Sequence, residues 1–499
     1  MNNNTTDKDE KLQEGAAIND VIIIDLVSVN RKEDSCINID LRLLDSAVYD
    51  LKETGSLWLL VMHQRTSDAL LPYGFELAQY LMDRGLVLRN IITWFVPYEY
   101  TNAKRLTNRY AHIYFLVRDA DAYVFDKDKI REKHIWKDVE WGKRTKRYHP
   151  LGKDPGNVWL MTEDDGEGNK LKHIPLSIDN VVDRITLAAC PPNGRCVLYS
   201  GVSVANSDII IYPIDGFIAR YSEPPGDSAK VDVNRATTKK ELFYKVFNRT
   251  SEYMHDLRDE EVDLIVTSPP YWDMKDYGIE DQIGYAQTYD RYLARIKKVW
   301  QECYRVLSKQ GTFWLNINTK TYRKSLCMIQ YDFYRQCKNI GFKLWDIIIW
   351  HKSVSGPASG NNLTDKFEYV LVFYKQPGFY FNKSYELTKK DYLIASIKGM
   401  GNVWNINRFW GSIGKNYPHP AMYPEELIER ILHFGSKKYD LVMDPFLGAG
   451  TTLVVAKKLL RSCAGYEINA GYFNIFKKRL FEERYDGLFE QDQAVQFLR

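Results

Sequence analysis

VDLIVTSPPY, residues 262–271, joins an apolar run to a pair of prolines, and its reading decides the fold. The run VDLIV has the length and the β-branched character of a strand buried on both faces. Two consecutive prolines donate nothing to a β-ladder, so the chain must leave the sheet at the strand's C-terminal end. In open α/β sheets that end is where ligands are held. The turn is stiff, and it presents the Ser268 hydroxyl, the Pro269 carbonyl, the Pro270 ring and the Tyr271 ring together. Taken alone, the pentapeptide also reads as an ordinary proline-rich turn.

Working outward, runs of the same kind recur: GTFWLNI, DIIIW, EYVLVFY and YDLVMD, separated by helix-period segments. Such alternation predicts an α/β fold with a mostly parallel, doubly wound, Rossmann-like sheet. After YDLVM comes DPFLGAGTT, residues 444–452, and then the helical LVVAKKLL. Glycines at a strand-to-helix turn allow close approach to a ligand and leave helix N–H groups free for its polar atoms. The next strand-like run, SCAGYE, ends in Glu467, 19 residues after Gly448. A carboxylate at that spacing can accept hydrogen bonds from ribose hydroxyls.

The N-terminal half answers this pattern. GSLWL from Gly55 matches GTFWL from Gly311, and GLVLRNIITW from Gly85 matches GFKLWDIIIW from Gly341, both 256 residues on. Asn157-Val-Trp matches Asn402-Val-Trp at 245, and Asp183-Arg-Ile matches Glu429-Arg-Ile at 246. Four matches in one order read as a tandem duplication. The expected organisation is a disordered tail over 1–16, a first lobe over 17–220, a linker over 221–238 and a second lobe over 239–499. Aligning Asp20 with Asp263 puts Asp25-Leu-Val-Ser28 where Ser268–Tyr271 stand, and VLYSGVSVANSD from Val197 lacks the glycine pattern. The first lobe is therefore read as a degenerate, inactive copy.

Composition bounds the rest. The 499 residues, 45% hydrophobic and 27% charged, are those of a soluble globular chain, and the net charge of +3 gives no global basic field. Seven scattered cysteines form no Cys-x-x-Cys pair, so no metal site is expected and reduced thiols are. No apolar leader and no run of about 18 apolar residues is present, which reads as a cytoplasmic protein without a membrane segment.

The Pro-Pro motif and the glycine loop, in that order, resemble the beta-class amino-methyltransferases of DNA restriction-modification systems, over roughly residues 240–499. The resemblance implies S-adenosylmethionine as cofactor, with Asp444, Phe446, Gly448, Gly450 and Thr451 shaping its pocket, Glu467 on its ribose, and His419 and Pro420, from NYPHPAMYPEELIERIL, at its methionine end. It implies Ser268, Pro269, Pro270 and Tyr271 as the catalytic motif, acting on a base flipped from double-stranded DNA. Family members with serine at the first position more often methylate the 4-amino group of cytosine, and those with aspartate the 6-amino group of adenine. The alternatives are the same reaction on adenine, or a nucleic-acid-binding regulator inactive in both lobes. A Gly-Asp common in the family is absent from the corresponding stretch here, VFNRTSEYM, which carries Asn248-Arg249. Residues 376–418, with Asn405, Arg408 and Trp410, fall where the family has its target-recognition segment. In the first lobe Lys143, Arg144, Lys146 and Arg147, near Trp141 and Tyr148, could neutralise phosphates. A fused second copy would replace the partner subunit of related dimers and leave the chain monomeric, with a cognate restriction enzyme as a further partner.

Overall fold

A computed structural model describes residues 17–29, 36–100, 105–132, 149–164, 171–221, 237, 239–273, 276, 278–279, 281–352, 360–387, 401–407, 423–482 and 496–498. The tail 1–16 and almost all of the linker 221–238 lie outside the described residues.

The first lobe is built on β1 Asn19–Asp25, β2 Leu51–Val61, β3 Val87–Tyr100, β4 Asn108–Val117, β5 Val158–Trp159, β6 Cys196–Ser200 and β7 Ile209–Pro213. They pair in the order β7-β6-β1-β2-β4-β3-β5, parallel except where β4 meets its two neighbours. The second lobe has β8 Tyr244–Phe247, β9 Val262–Thr267, β10 Leu307–Ile317, β11 Lys343–His351 and β12 Phe367–Tyr374. It continues with β13 Val403–Asn405, β14 Leu441–Asp444, β15 Ser462–Tyr466 and β16 Gln496–Leu498. Their order is β16-β8-β15-β14-β9-β10-β12-β11-β13, antiparallel only around β12. From β15 to β13 the second sheet repeats the first strand for strand, and β8 and β16 extend it.

Local packing repeats as well. A Cβ on Gly55 would lie 2.9 Å from Leu51 Cδ1, and one on Gly311 2.5 Å from Leu307 Cδ1, which explains why GSLWL and GTFWL both open on glycine. In each, a buried indole finds its acceptor two residues back. Trp58 Nε1 donates to Ser56 Oγ and Trp314 Nε1 to Thr312 Oγ1, both at 2.9 Å.

Both sheets are covered on two faces, as their unbroken apolar strands require. β1 sends Ile22 and Ile24 into one core and Val21 and Ile23 into the other. Helices α1 Leu41–Asp50, α2 Tyr73–Asp83 and α3 Ile178–Ala189 pack on the first sheet. The second carries α4 Tyr289–Val306, α5 Ile329–Ile340, α6 Glu425–Gly435, α7 Thr451–Lys458 and α8 Phe473–Glu482.

One core is continuous across the lobes, where Phe75 of α2 meets the Tyr369 ring of β12 edge-on at 5.7 Å. The polar contacts beside it are reciprocal. Asn157 N donates to Thr364 O at 2.9 Å, its Oδ1 accepts from Lys366 N at 2.8 Å, and its Nδ2 donates to Asp365 Oδ1 at 3.3 Å. In the opposite direction Asn402 N donates to Thr107 O at 3.0 Å, its Oδ1 accepts from Arg109 N at 3.1 Å, and its Nδ2 donates to Asn108 Oδ1 at 2.8 Å. Contacts that repeat with the partners exchanged are the mark of an isologous, two-fold interface.

Part of the expected recognition segment falls among the described residues. Of residues 376–418, the described 376–387 and 401–407 contribute Phe379, Phe381 and Trp404 to the core and Asn402 to the lobe contact. They are structural because β13 is the sheet's edge strand and must be packed. Arg408 and Trp410 lie outside the described residues.

Candidate cofactor and base site at the carboxyl edge of the second sheet

β9 and β14 are neighbours, so the Pro-Pro turn and the glycine loop leave the sheet side by side. Thr267 Oγ1 donates to Asp444 Oδ1 at 2.8 Å, fastening one to the other. Asp444 is fully buried and also accepts from Phe446 N at 3.0 Å, Thr452 Oγ1 at 2.7 Å and Tyr423 OH at 2.7 Å. Burial raises its carboxyl above the usual range, against the pull of these four donors. Asp444 therefore braces the loop from behind, and its expected part in the pocket is an indirect one.

The loop itself turns through two left-handed glycines, Gly448 at φ 54° and Gly450 at φ 77°. A Cβ on Gly450 would also come within 2.7 Å of the Phe476 ring. α7 starts directly after it. Arg479 of α8 donates to Ala449 O at 2.9 Å and to Thr451 Oγ1 at 3.0 Å, and pairs with Glu425 at 2.8 Å. Thr451 is thus buried, with its hydroxyl turned to Arg479. Phe446 and Gly448 remain half-buried at the loop's surface.

Glu467 follows β15 at the same edge. Its Oε2 accepts from Gly448 N at 2.9 Å and its Oε1 from Asn469 N at 2.7 Å. Burial lifts its pKa to about 7, although both N–H bonds act to lower it. Asn248, from the stretch where the family often has Gly-Asp, donates from Nδ2 to Glu467 O at 2.8 Å and to Ile468 O at 3.0 Å and fastens this strand end.

On the Pro-Pro side, Tyr292 OH donates to Pro270 O at 2.9 Å and holds the turn from below. Among the described residues no hydrogen bond takes Ser268 Oγ or the Pro269 carbonyl, and Ser268 is half-buried. Tyr271, also half-buried, donates from its hydroxyl to Glu368 Oε2 at 2.9 Å. Glu368 Oε1 in turn accepts from Lys352 Nζ at 3.1 Å.

The structure brings together Ser268, Pro269, Pro270, Tyr271, Asp444, Phe446, Gly448, Gly450, Thr451 and Glu467. His419 and Pro420 lie outside the described residues, as do Lys143, Arg144, Lys146, Arg147 and Arg408. Sequence reasoning missed Thr267, Tyr423 and Thr452, the hydroxyls around Asp444, and missed Lys352 and Glu368. The last two were marked by a signal, a charged residue directly after one mostly apolar strand run (Lys352 after IIIWH) and near the start of another (Glu368 in FEYVLVFY). Among the described residues no three His, Cys, Asp or Glu side chains gather as a metal site.

A family model described as DNA methylase, for N6 and N4 methyltransferases, matches residues 29–207 and 262–478. The type II methyltransferase M.SmaI of Serratia marcescens is 30% identical over 266 residues, covering 47% of this chain and 89% of that protein. M.HpaI of Haemophilus parainfluenzae is 31% identical over 235 residues, 46% of this chain and 71% of its own. Among solved structures, the PvuII DNA methyltransferase (cytosine-N4-specific) is 20% identical over 49% of this chain and 89% of its own, with a TM-score of 0.41. Matched by the family model over most of its length, and in both lobes, this chain belongs to the DNA methylase family of N6 and N4 methyltransferases.

Proposed function

We propose that the second lobe methylates the exocyclic 4-amino group of cytosine in double-stranded DNA with S-adenosylmethionine as donor. The observation that carries this reading is the Thr267–Asp444 bond, which fixes an open Ser-Pro-Pro-Tyr turn against a left-handed glycine loop. The residues at that edge fit the cofactor: a tight loop turned through the left-handed Gly448 and Gly450, which carry no side chain of their own, and a buried carboxyl at Glu467 that suits ribose hydroxyls. S-adenosylmethionine supplies an electrophilic methyl group on a positively charged sulfur.

What the chain must do is make a poor nucleophile attack. The lone pair of a base amino group is delocalised into the ring. Ser268 Oγ and the Pro269 carbonyl are the two acceptors for its hydrogens, and accepting both draws the lone pair out of conjugation as the bond forms. The gain is positioning and transition-state electrostatics, with no covalent enzyme intermediate. Tyr271 supplies a stacking face for a base turned out of the duplex. Serine at the first motif position, as against aspartate, favours cytosine over adenine.

The first lobe, in this reading, is a non-catalytic copy that takes the place of a second subunit, so that the working enzyme is a cytoplasmic monomer. Its Lys143, Arg144, Lys146 and Arg147 hold DNA phosphates. Replacing all four by alanine is expected to weaken DNA binding and flatten its salt dependence, and an unchanged slope would remove them from the interface.

The deciding experiment is nucleoside mass spectrometry of mixed-sequence duplex DNA incubated with the protein and S-adenosylmethionine. 4-Methylcytosine is the expected product. 6-Methyladenine would keep the mechanism and overturn the base assignment, and no methylated base would overturn the reading.

A further inference from the structure

Two charged side chains are buried beside the Pro-Pro turn, and the first lobe has no equivalent of them. Lys352 is fully buried in its side chain and Glu368 is 10% exposed, and they pair at 3.1 Å. Taking two charges out of water is costly, and a buried pair is weak evidence for a stabilising role. Register identifies the matching positions in the first lobe. Trp350 lies opposite Glu368 across β11 and β12, and Trp94 lies opposite Ala111 across β3 and β4. Glu368 thus answers to Ala111, and Lys352, two residues past Trp350, to Val96. Both counterparts are buried and apolar. The same fold is held without the ion pair in one lobe, so the scaffold does not require it.

The pair has polar partners on both sides. Toward the active edge, Glu368 Oε2 accepts the Tyr271 hydroxyl at 2.9 Å. Away from it, Lys352 Nζ reaches Asp365 Oδ2 at 3.3 Å, and Asn318 Nδ2 donates to the same oxygen at 2.9 Å. The other oxygen of Asp365 accepts from Asn157 Nδ2 of the first lobe at 3.3 Å. Asn157 is itself fixed by Lys366 N and Thr364 O. In the mirrored contact Asn402 meets Asn108 at 2.8 Å and Asp346, the partner of Arg65, at 3.4 Å, but at the positions that answer to Lys352, Glu368 and Tyr271 stand Val96, Ala111 and Ser28, so this branch does not run to the first lobe's carboxyl edge through an equivalent pair.

We propose that Asn157, Asp365, Lys352 and Glu368 form a positioning relay through which the first lobe sets the Tyr271 ring for the target base. This rests on the reading above that Tyr271 faces that base. Tyr271 touches the substrate; Glu368, Lys352, Asp365 and Asn157 act through it. A ring held at its hydroxyl is fixed in tilt, and a stacking platform at a fixed tilt presents the amino group at one height to its acceptors. The first lobe has lost both chemical motifs, and the relay gives it a part in the reaction that needs neither.

The test uses the full chain, mixed-sequence duplex DNA and S-adenosylmethionine with a labelled methyl group, and reads single-turnover transfer beside calorimetric affinity for S-adenosylmethionine. Tyr271→Phe and Glu368→Gln should each slow transfer about tenfold, the worth of one hydrogen bond to a charged group. They break the same link, so the double variant should be no slower than either. Asn157→Ala should slow transfer with cofactor affinity unchanged. Asn157→Asp combined with Asp365→Asn, which restores an amide-to-carboxylate bond in the reverse sense, should recover the rate that Asn157→Asp alone loses. Multiplying effects of Tyr271→Phe and Glu368→Gln would overturn the relay, as would wild-type transfer by Asn157→Ala. Should Asn157→Ala fail to fold, the Tyr271–Glu368 coupling still decides. No transfer to DNA by the unaltered chain would instead overturn the functional reading, and the relay with it.

Discussion

At the carboxyl edges of the two sheets, the equivalent strand pair is braced differently in the two lobes. In the second lobe the hydroxyl of Thr267 ends β9 and the carboxylate of Asp444 ends β14. In the first, the chemistry has changed sides. Asp25 ends β1, and Ser200, ending β6, donates to it at 2.8 Å. Asp25 stands where the second lobe has Ser268. It is fully buried, and it also accepts from Val27 N at 2.9 Å, Ser28 N at 3.1 Å and Ser28 Oγ. A carboxylate in that place folds the following residues inward, and Leu26, Val27 and Ser28 are buried. Moving the carboxylate to the neighbouring strand leaves a serine and a proline carbonyl at the turn with their acceptor atoms unspent. The brace between strand ends is common to both lobes, and the strand that carries the acid differs between them.

The largest effect should separate the lobes outright. Ser268→Ala is expected to lower methyl transfer by about 10²–10³-fold, the usual cost of one lost transition-state contact, with affinity for S-adenosylmethionine retained. Ser28→Ala, at the counterpart of Tyr271, should leave transfer per folded molecule unchanged. Labelled methyl incorporation into duplex DNA measures both. Equal losses from the two substitutions would mean that the first lobe also does chemistry, and the comparison would fail.

A second difference lies in the acid that follows the sheet's next strand. Glu467 has its pKa raised from 4.5 to about 7 by burial, whereas Pro213 occupies the matching register in the first lobe. A carboxyl that holds its proton more tightly when folded contributes stability below pH 4.5 and loses it as pH rises through about 7. Without cofactor the loss is about 3 kcal/mol. Cofactor affinity should run the other way, rising through about pH 7 as the carboxylate forms to accept ribose hydroxyls. Glu467→Gln should flatten both profiles, measured by denaturation and by calorimetry. A slope that survives the substitution would assign it to Asp444 or Asp25, whose carboxyls burial also raises.

The glycine loops differ by a smaller amount. Gly450→Ala forces φ 77° on an L-residue and brings a Cβ to 2.7 Å from Phe476, for a loss of roughly 2–3 kcal/mol. At Gly201, in the first lobe's counterpart loop, the nearest atom to a new Cβ is 3.7 Å away, and Gly201→Ala should be close to neutral. Urea denaturation of the two variants makes the comparison, and a costly Gly201→Ala would show that the first loop keeps a constraint of its own.

Much of the fold and part of the site are legible in the amino-acid sequence. The Pro-Pro turn and the glycine loop can be set at strand ends because proline and glycine declare backbone conformation directly. The duplication pattern is readable because Gly55 and Gly311, with Trp58 and Trp314, answer to the same close approach and the same indole bond. The Asp444 hydroxyls are hidden, since Thr267, Tyr423 and Thr452 arrive from three separate segments and only the folded sheet brings them together. The direction of the Thr451 hydroxyl is not legible, because it is set by Arg479, a residue that no local pattern connects to it. Lys352 and Glu368 have a signal in their strands, but Lys352 meets Glu368 and Asp365 only when β11 and β12 pair, and Asn157 reaches Asp365 only when the lobes meet.

The smallest effect tests the joint between the lobes. Asn157 and Asn402 each accept a backbone N–H, from Lys366 and from Arg109, and each donates to the residue before it, Asp365 or Asn108. Alanine at either position strands one N–H and one side-chain acceptor, buried at Asn402 and part-buried at Asn157, so each substitution should cost about 1–2 kcal/mol. The sites share no partner, and their losses should add in the double variant. Guanidinium denaturation of the two single variants and the double variant reads this directly. Equal, additive losses would mean the contact is two-fold in energy as it is in geometry, with the catalytic asymmetry confined to what lies behind Asp365. A markedly larger cost at Asn157 would mean that the buried Lys352–Glu368 pair leans on this asparagine for its stability, and the lobes would then differ at the joint as well as at the edge.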